Sequence, residues 1–361
     1  SITSGENGYL RSAGTVTGFD LNNHLNSSGN IVYNNIIQST ITDPTILANV
    51  TNSILGIQYT PWAEPTFEVL PNPLGVNWQT ERVGMPDSRY YIQNLINTNG
   101  IAKLPEGVFY IGSTLNIPLD NLHGIEGKGT GKTVIVGLTD DFPLITLSYG
   151  STQNFTLDYL TLQGGSTGVF SNSIDTQIAY QNMKYVVFRN QNYGIHLRQI
   201  MGMDNCFFNN VSFVNCTKGI FQDPLVPYVE LSTSSYIDKV VFYKSQFIGC
   251  ETAISMQSTR ANNLNAFINC KFDGGLNAFN GSSNFLTFAN CTFKNFTGTQ
   301  VIKSNTVSLY NCKFTNNTPT TSTLATNISF IEGCSFLDTS EVIAPILYNP
   351  IKSYIFNSTI T

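Results

Sequence analysis

A short phrase of alternating apolar and polar residues is written repeatedly along the chain. It reads FANCTF at 288–293, LYNCKF at 309–314, FINCKF at 267–272 and IEGCSF at 331–336. Looser copies are LDYLTL at 157–162, MKYVVF at 183–188 and FNNVSF at 208–213. A period of two places successive side chains on opposite faces, so each phrase predicts a strand and not a helix. The closing residue returns at Leu162, Phe188, Phe213, Phe247, Phe272, Phe293, Phe314 and Phe336, at intervals of 21 to 26 residues apart from one of 34. Self-similarity at that spacing is the mark of a solenoid. Its strands must stack in parallel, each rung covering the core of the next, in about ten rungs.

Two columns follow from aligning the phrases. Cys270, Cys291, Cys312 and Cys334 share one position, which Val186 and Val211 take in earlier copies. The cysteines therefore behave as small buried hydrophobes. Seven cysteines cannot all pair within the chain. With no CxxC pair and no clustered histidine, no metal site is expected. Just ahead of them stand Asn210, Asn269, Asn290 and Asn311, whose stacked amides would hydrogen-bond from rung to rung.

Two solenoids compete for this pattern. LYNCKFTNN approaches a leucine-rich repeat, but phenylalanine dominates the closing positions and no second apolar set accompanies it. The first half favours the other type. RYYIQNLIN at 89–97 predicts a short amphipathic helix, followed by Gly100 and then IAKLPEGVFYIGSTLNI and LHGIEGKGTGKTVIVG. Leu104, Pro105, Gly107, Phe109, Tyr110 and Ile111, then Gly127, Gly129, Thr133 and Ile135, resemble the opening of a right-handed parallel β-helix of the pectin-lyase-like superfamily. The resemblance covers roughly residues 88–345 and implies an all-β solenoid with an N-terminal capping helix. It says little about activity, since that superfamily holds polysaccharide lyases, glycoside hydrolases, epimerases and viral tailspikes. GKGTGKT within the same stretch imitates a phosphate-binding loop, but the required first glycine falls on Glu126. No cofactor is expected.

Residues 1–87 do not repeat. YTPWAEPTFEVLPNPLGVNW holds both tryptophans, Trp62 and Trp78, in a Pro-punctuated stretch that suits wrapping over another surface. The expected organisation is an extended N-terminal arm over 1–87 and a β-helix over 88–361. Only 11% of residues are charged, against about a quarter in ordinary proteins, and the net charge is −5 without a basic run. That excludes a nucleic-acid partner. No apolar run approaches the ~18 residues of a membrane span. The start, SITSGENG, has no basic-then-apolar leader.

Chemistry is expected where loops leave the rungs. Gly168-Val169, Gly194-Ile195, Gly219-Ile220 and Ala253-Ile254 align, and the residues after them should line one groove. These are His196, Arg198, Gln222, Asp223, Gln257 and Arg260, joined by Tyr228, Glu230 and Tyr236 from the long insertion. A glycoside hydrolase would use Asp223 with Glu230. A lyase would use Arg198, Arg260 or His196 to abstract a proton. Gln222, Gln257, Tyr228 and Tyr236 would contact the sugar. The expected protein is a tailspike-like glycan binder on an extracellular or virion surface, homotrimeric as β-helices of the resembled family often are. A secreted polysaccharide-degrading enzyme and a structural surface or filament subunit are the alternatives.

Overall fold

The computed structural model describes residues 2–4, 9–12, 32–33, 65–67, 70–118, 122–148, 155–171, 178–179, 181–197, 202–223, 236–256, 264–283, 285–337, 347–348, 352–356 and 358–360. From Ile101 onward the chain coils through three strands per turn, and every turn pairs in parallel with the next. The first sheet opens with Ile101–Lys103 and Gly124–Glu126, the second with Gly107–Ile111 and Thr133–Gly137, and the third with Leu115–Pro118 and Pro143–Ser148.

The closing residues of the sequence phrase form one column inside the second sheet. In register they run Phe109, Ile135, Leu162, Phe188, Phe213, Phe247, Phe272, Phe293, Phe314, Phe336 and Ile360. Strand spacing of about 4.8 Å is also the distance at which offset rings stack, so phenylalanine fits the repeat. Phe247 and Phe272 lie 4.9 Å apart and nearly coplanar in orientation, at 1°. Phe293 and Phe314 are 4.5 Å apart. A second inward column from the first sheet, Phe208, Phe242, Phe267 and Phe288, meets it edge-on, as between Phe267 and Phe272 at 69°.

The cysteine column is buried as expected, and all seven thiols are free. Each of three stacked thiols donates to a carbonyl of the preceding rung: Cys270 to Phe242, Cys291 to Phe267 and Cys312 to Phe288, at 3.5, 3.2 and 3.4 Å. Burial pushes the Cys291 and Cys334 thiols well up and that of Cys206 to about 12, so they stay protonated.

The asparagine column has a conformational origin. Asn210, Asn269, Asn290 and Asn311 all sit at φ between 48° and 55°, in the one-residue bend between the first and second sheets. Asparagine tolerates this left-handed region better than other side chains with a Cβ. The main-chain amides of Asn269, Asn290 and Asn311 donate to Ala289, Tyr310 and Glu332 on the next rung, at 2.9, 2.8 and 2.8 Å.

Helix α1 (Trp78–Glu81) precedes α2 (Arg89–Asn99), which lies against the first turn and buries Ile92 and Ile96 completely over the end of the core. Gly100 ends α2 at φ 74°. Most of the arm anticipated over 1–87 lies outside the described residues. Within it, Ile2–Ser4, Tyr9–Ser12 and Val32–Tyr33 form a small sheet. Residues 70–82 run as a strap over the outside of the second sheet, where Trp78 packs with Val134 and Val136 in a separate apolar cluster.

Candidate functional site

The site is built on the outer side of the third sheet. Gly194 and Gly219 lie where its strands begin, because a Cβ on Gly194 would come within 2.4 Å of the Phe213 ring and one on Gly219 within 2.5 Å of the Ala253 carbonyl. The next residues, Ile195 and Ile220, enter the core. Alternation then turns His196 and Phe221 outward and sends Leu197 and Gln222 in. In register, Phe170, His196, Phe221 and Ser255 make one column along the axis.

Four rings converge there. Phe170 and His196 are 5.0 Å apart, and His196 and Phe221 are 5.2 Å apart. Tyr193 lies beside both, 4.7 Å from His196 and 4.9 Å from Phe221. The Lys218 ammonium stands 4.0 Å over the Phe221 ring. His196 Nε2 and Asp223 Oδ1 are 2.8 Å apart, and both side chains keep a little under a fifth of their surface open. Asp223 is itself fixed by its main-chain amide, which donates to Leu197 at 3.0 Å. The result is an aromatic patch with one hydrogen-bonded acid–imidazole pair at its edge. Such a patch can stack the apolar face of a sugar ring, and the pair can exchange hydrogen bonds with hydroxyls.

Of the sequence-derived candidates, the structure brings His196 and Asp223 together. Gln222 needs correction. It is 0% exposed and points into the solenoid between Leu197 and Met256, so it has no surface to offer a sugar. Tyr236 begins Tyr236–Asp238, which pairs with Gly202–Asp204 in a small separate sheet and not in the third sheet. Arg198, Tyr228, Glu230, Gln257 and Arg260 lie outside the described residues. Phe170, Tyr193, Lys218 and Phe221 were not among the candidates. The position after each glycine–aliphatic pair reads Phe170, His196 and Phe221, so the signal for the column was present.

A search of the solved structures finds the same coil of parallel strands. The ORF18 chain of Geobacillus virus E2 superposes with a TM-score of 0.56 at 17% identity, covering 77% of this chain and 61% of that one. The chain has a parallel β-helix fold. An Acinetobacter phage tailspike protein follows at 0.47 and 12% identity, with 77% of this β-helix chain and 58% of the other covered. An alginate lyase from a Paenibacillus species gives 0.43 and 10%, covering 75% and 97%. This β-helix chain thus spans about three fifths of each of the two viral chains. No protein-family model matches it, and no curated protein does.

Proposed function

We propose that the outer face of the third sheet binds glycan, and that the β-helix displays this face on an extracellular or virion surface. The observation that carries the reading is the ring patch on a rigid sheet, in which Phe170, Tyr193 and His196 are partly exposed over a buried Phe221. Its spacing of about one strand per ring lets a glycan lie along the axis across successive rungs. A chain rich in Asn and Thr, with only 11% charged residues, supports the same reading, as uncharged hydroxyls and amides match sugar hydroxyls. The neighbours named for a tailspike and for alginate cleavage share the fold, and the assignment rests on the site. A homotrimer, with residues 1–87 as its wrapping or anchoring segment, completes the proposal.

Depolymerisation is the second reading, favoured by the His196–Asp223 hydrogen bond, which pairs a titratable base with an orienting carboxylate. In it Asp223 works with Glu230 in hydrolysis, or His196 or one of Arg198 and Arg260 abstracts the proton in a lyase.

Binding and product release on one panel of neutral and acidic polysaccharides separate the readings. Tyr193→Ala is expected to weaken binding about tenfold, the equivalent of one lost aromatic contact. If the protein cleaves, Asp223→Ala loses product release while binding persists. Binding without release by the wild type retires the catalytic roles, and no binding to any glycan retires the site. Sedimentation velocity checks the trimer.

A further inference from the structure

On the second sheet, away from that patch, the strap of residues 70–82 closes over two polar side chains that the described residues leave incompletely partnered. Gln163 and Arg189 are register neighbours on adjacent rungs. Gln163 is 0% exposed, and neither its amide nitrogen nor its amide oxygen has a hydrogen-bond partner. Arg189 is 6% exposed and donates from one terminal nitrogen to the Pro71 carbonyl of the strap at 2.9 Å, while its Nε has no partner. Among the described residues no carboxylate pairs with it. Asp140, the acid beneath the strap, is taken by both terminal nitrogens of Arg82 at 2.8 and 2.7 Å and by the Gly165 amide at 3.1 Å.

A guanidinium cannot shed its proton in a protein, so burial leaves Arg189 charged. A carbonyl gives it a dipole and no counter-charge. Leaving such a charge uncompensated is one of the costlier things a fold can do, and an orphaned amide beside it adds to the cost. We infer that Arg189 and Gln163 form a site for a small oxyanion, a carboxylate or a phosphate, admitted where the strap edge meets Pro71. The guanidinium supplies the charge, and the Gln163 amide N–H supplies a second donor. The Gln163 oxygen accepts from an O–H where the ligand carries one, as hydrogen phosphate or a hydroxy acid does and acetate does not. Burial draws the Arg189 pKa down, offset in part by Cys216 and by no carboxylate among the described residues, in keeping with a counter-ion that comes from outside the chain. Because the bound anion would sit against Pro71, occupancy and closure of the strap are coupled.

The test uses the full chain in sodium phosphate, sodium acetate, sodium glucuronate and sodium chloride at equal ionic strength. Amide exchange over residues 70–82 and the unfolding midpoint are read in each. At least one oxyanion is expected to slow strap exchange tenfold or more, saturably, and Arg189→Gln removes that response. A response to phosphate alone assigns an inorganic ion, and one to glucuronate beyond acetate assigns a sugar acid. Identical behaviour in all four salts, or a saturable response that survives Arg189→Gln, overturns the site. Should Arg189→Gln not fold, Gln163→Leu keeps the volume and removes both amide groups. Loss of the response in that variant supports the site, and an undiminished response overturns it.

Discussion

Single residues in this chain are chosen for a backbone angle or for a ring spacing. Asn290 holds φ 53° in the bend before Cys291, where a side chain with an ordinary Cβ is strained. Asn290→Ala is therefore expected to cost about 1 kcal/mol, and Asn290→Gly only a few tenths, in urea midpoints. The opposite order would show that the amide group, and not the angle, fills the column. Reading the cysteines from sequence succeeded because Val186 and Val211 occupy the same column and fix its character. The asparagines were harder. A left-handed bend and an amide ladder leave the same mark in a sequence, and only the dihedral separates them. Gln222 shows the cost of stopping at alignment. Once Phe221 faces out, period two obliges its neighbour to face in.

Among the elements, the strap is where local chemistry decides attachment. The Arg82 guanidinium, by hydrogen bonds first and charge second, holds the Asp140 carboxyl below its ordinary range. A lowered carboxylate contributes stability that is whole above its unfolded pKa, about 4, and is lost as pH falls through the lowered value. Strap detachment, followed by tryptophan fluorescence, is expected to appear below about pH 4 in the wild type. It should be absent in Asp140→Asn, whose strap is loosened at every pH. Sequence patterning predicted the helix over 89–97, observed as Arg89–Asn99, because apolar residues recur at helical spacing there. The strap's docking site was not legible. Trp78 finds Val134 and Val136, and Arg82 finds Asp140, across more than fifty residues of chain with no periodic signal to connect them.

For the molecule as a whole, each turn contacts mainly the turns on either side, so stability is close to a sum of neighbouring interfaces. Phe272, completely buried, stacks on Phe247 and Phe293 at 4.9 Å each. Phe272→Ala should cost about 3–5 kcal/mol in denaturant unfolding. Amide protection should fall most in the rungs of Phe247 and Phe293 and least near Leu115. Uniform loss along the chain would mean that the coil unfolds as one unit. The interval of 34 residues between Phe213 and Phe247, out of step with its neighbours, leaves the ladder intact, and Phe213 joins directly to Phe247. That tolerance explains why the spacing revealed a solenoid while leaving the residues of the long insertion to be proposed.

The parallel pairing of every turn with the next also gives the coil a mechanical grain. Inter-strand hydrogen bonds point along its axis, so tension between the two ends loads one interface after another and the terminal turn peels first. A pull applied along a strand instead loads a whole row of bonds in shear, and they resist together. A load on the outer face of the third sheet meets the stiffer response only where it is directed along the strands.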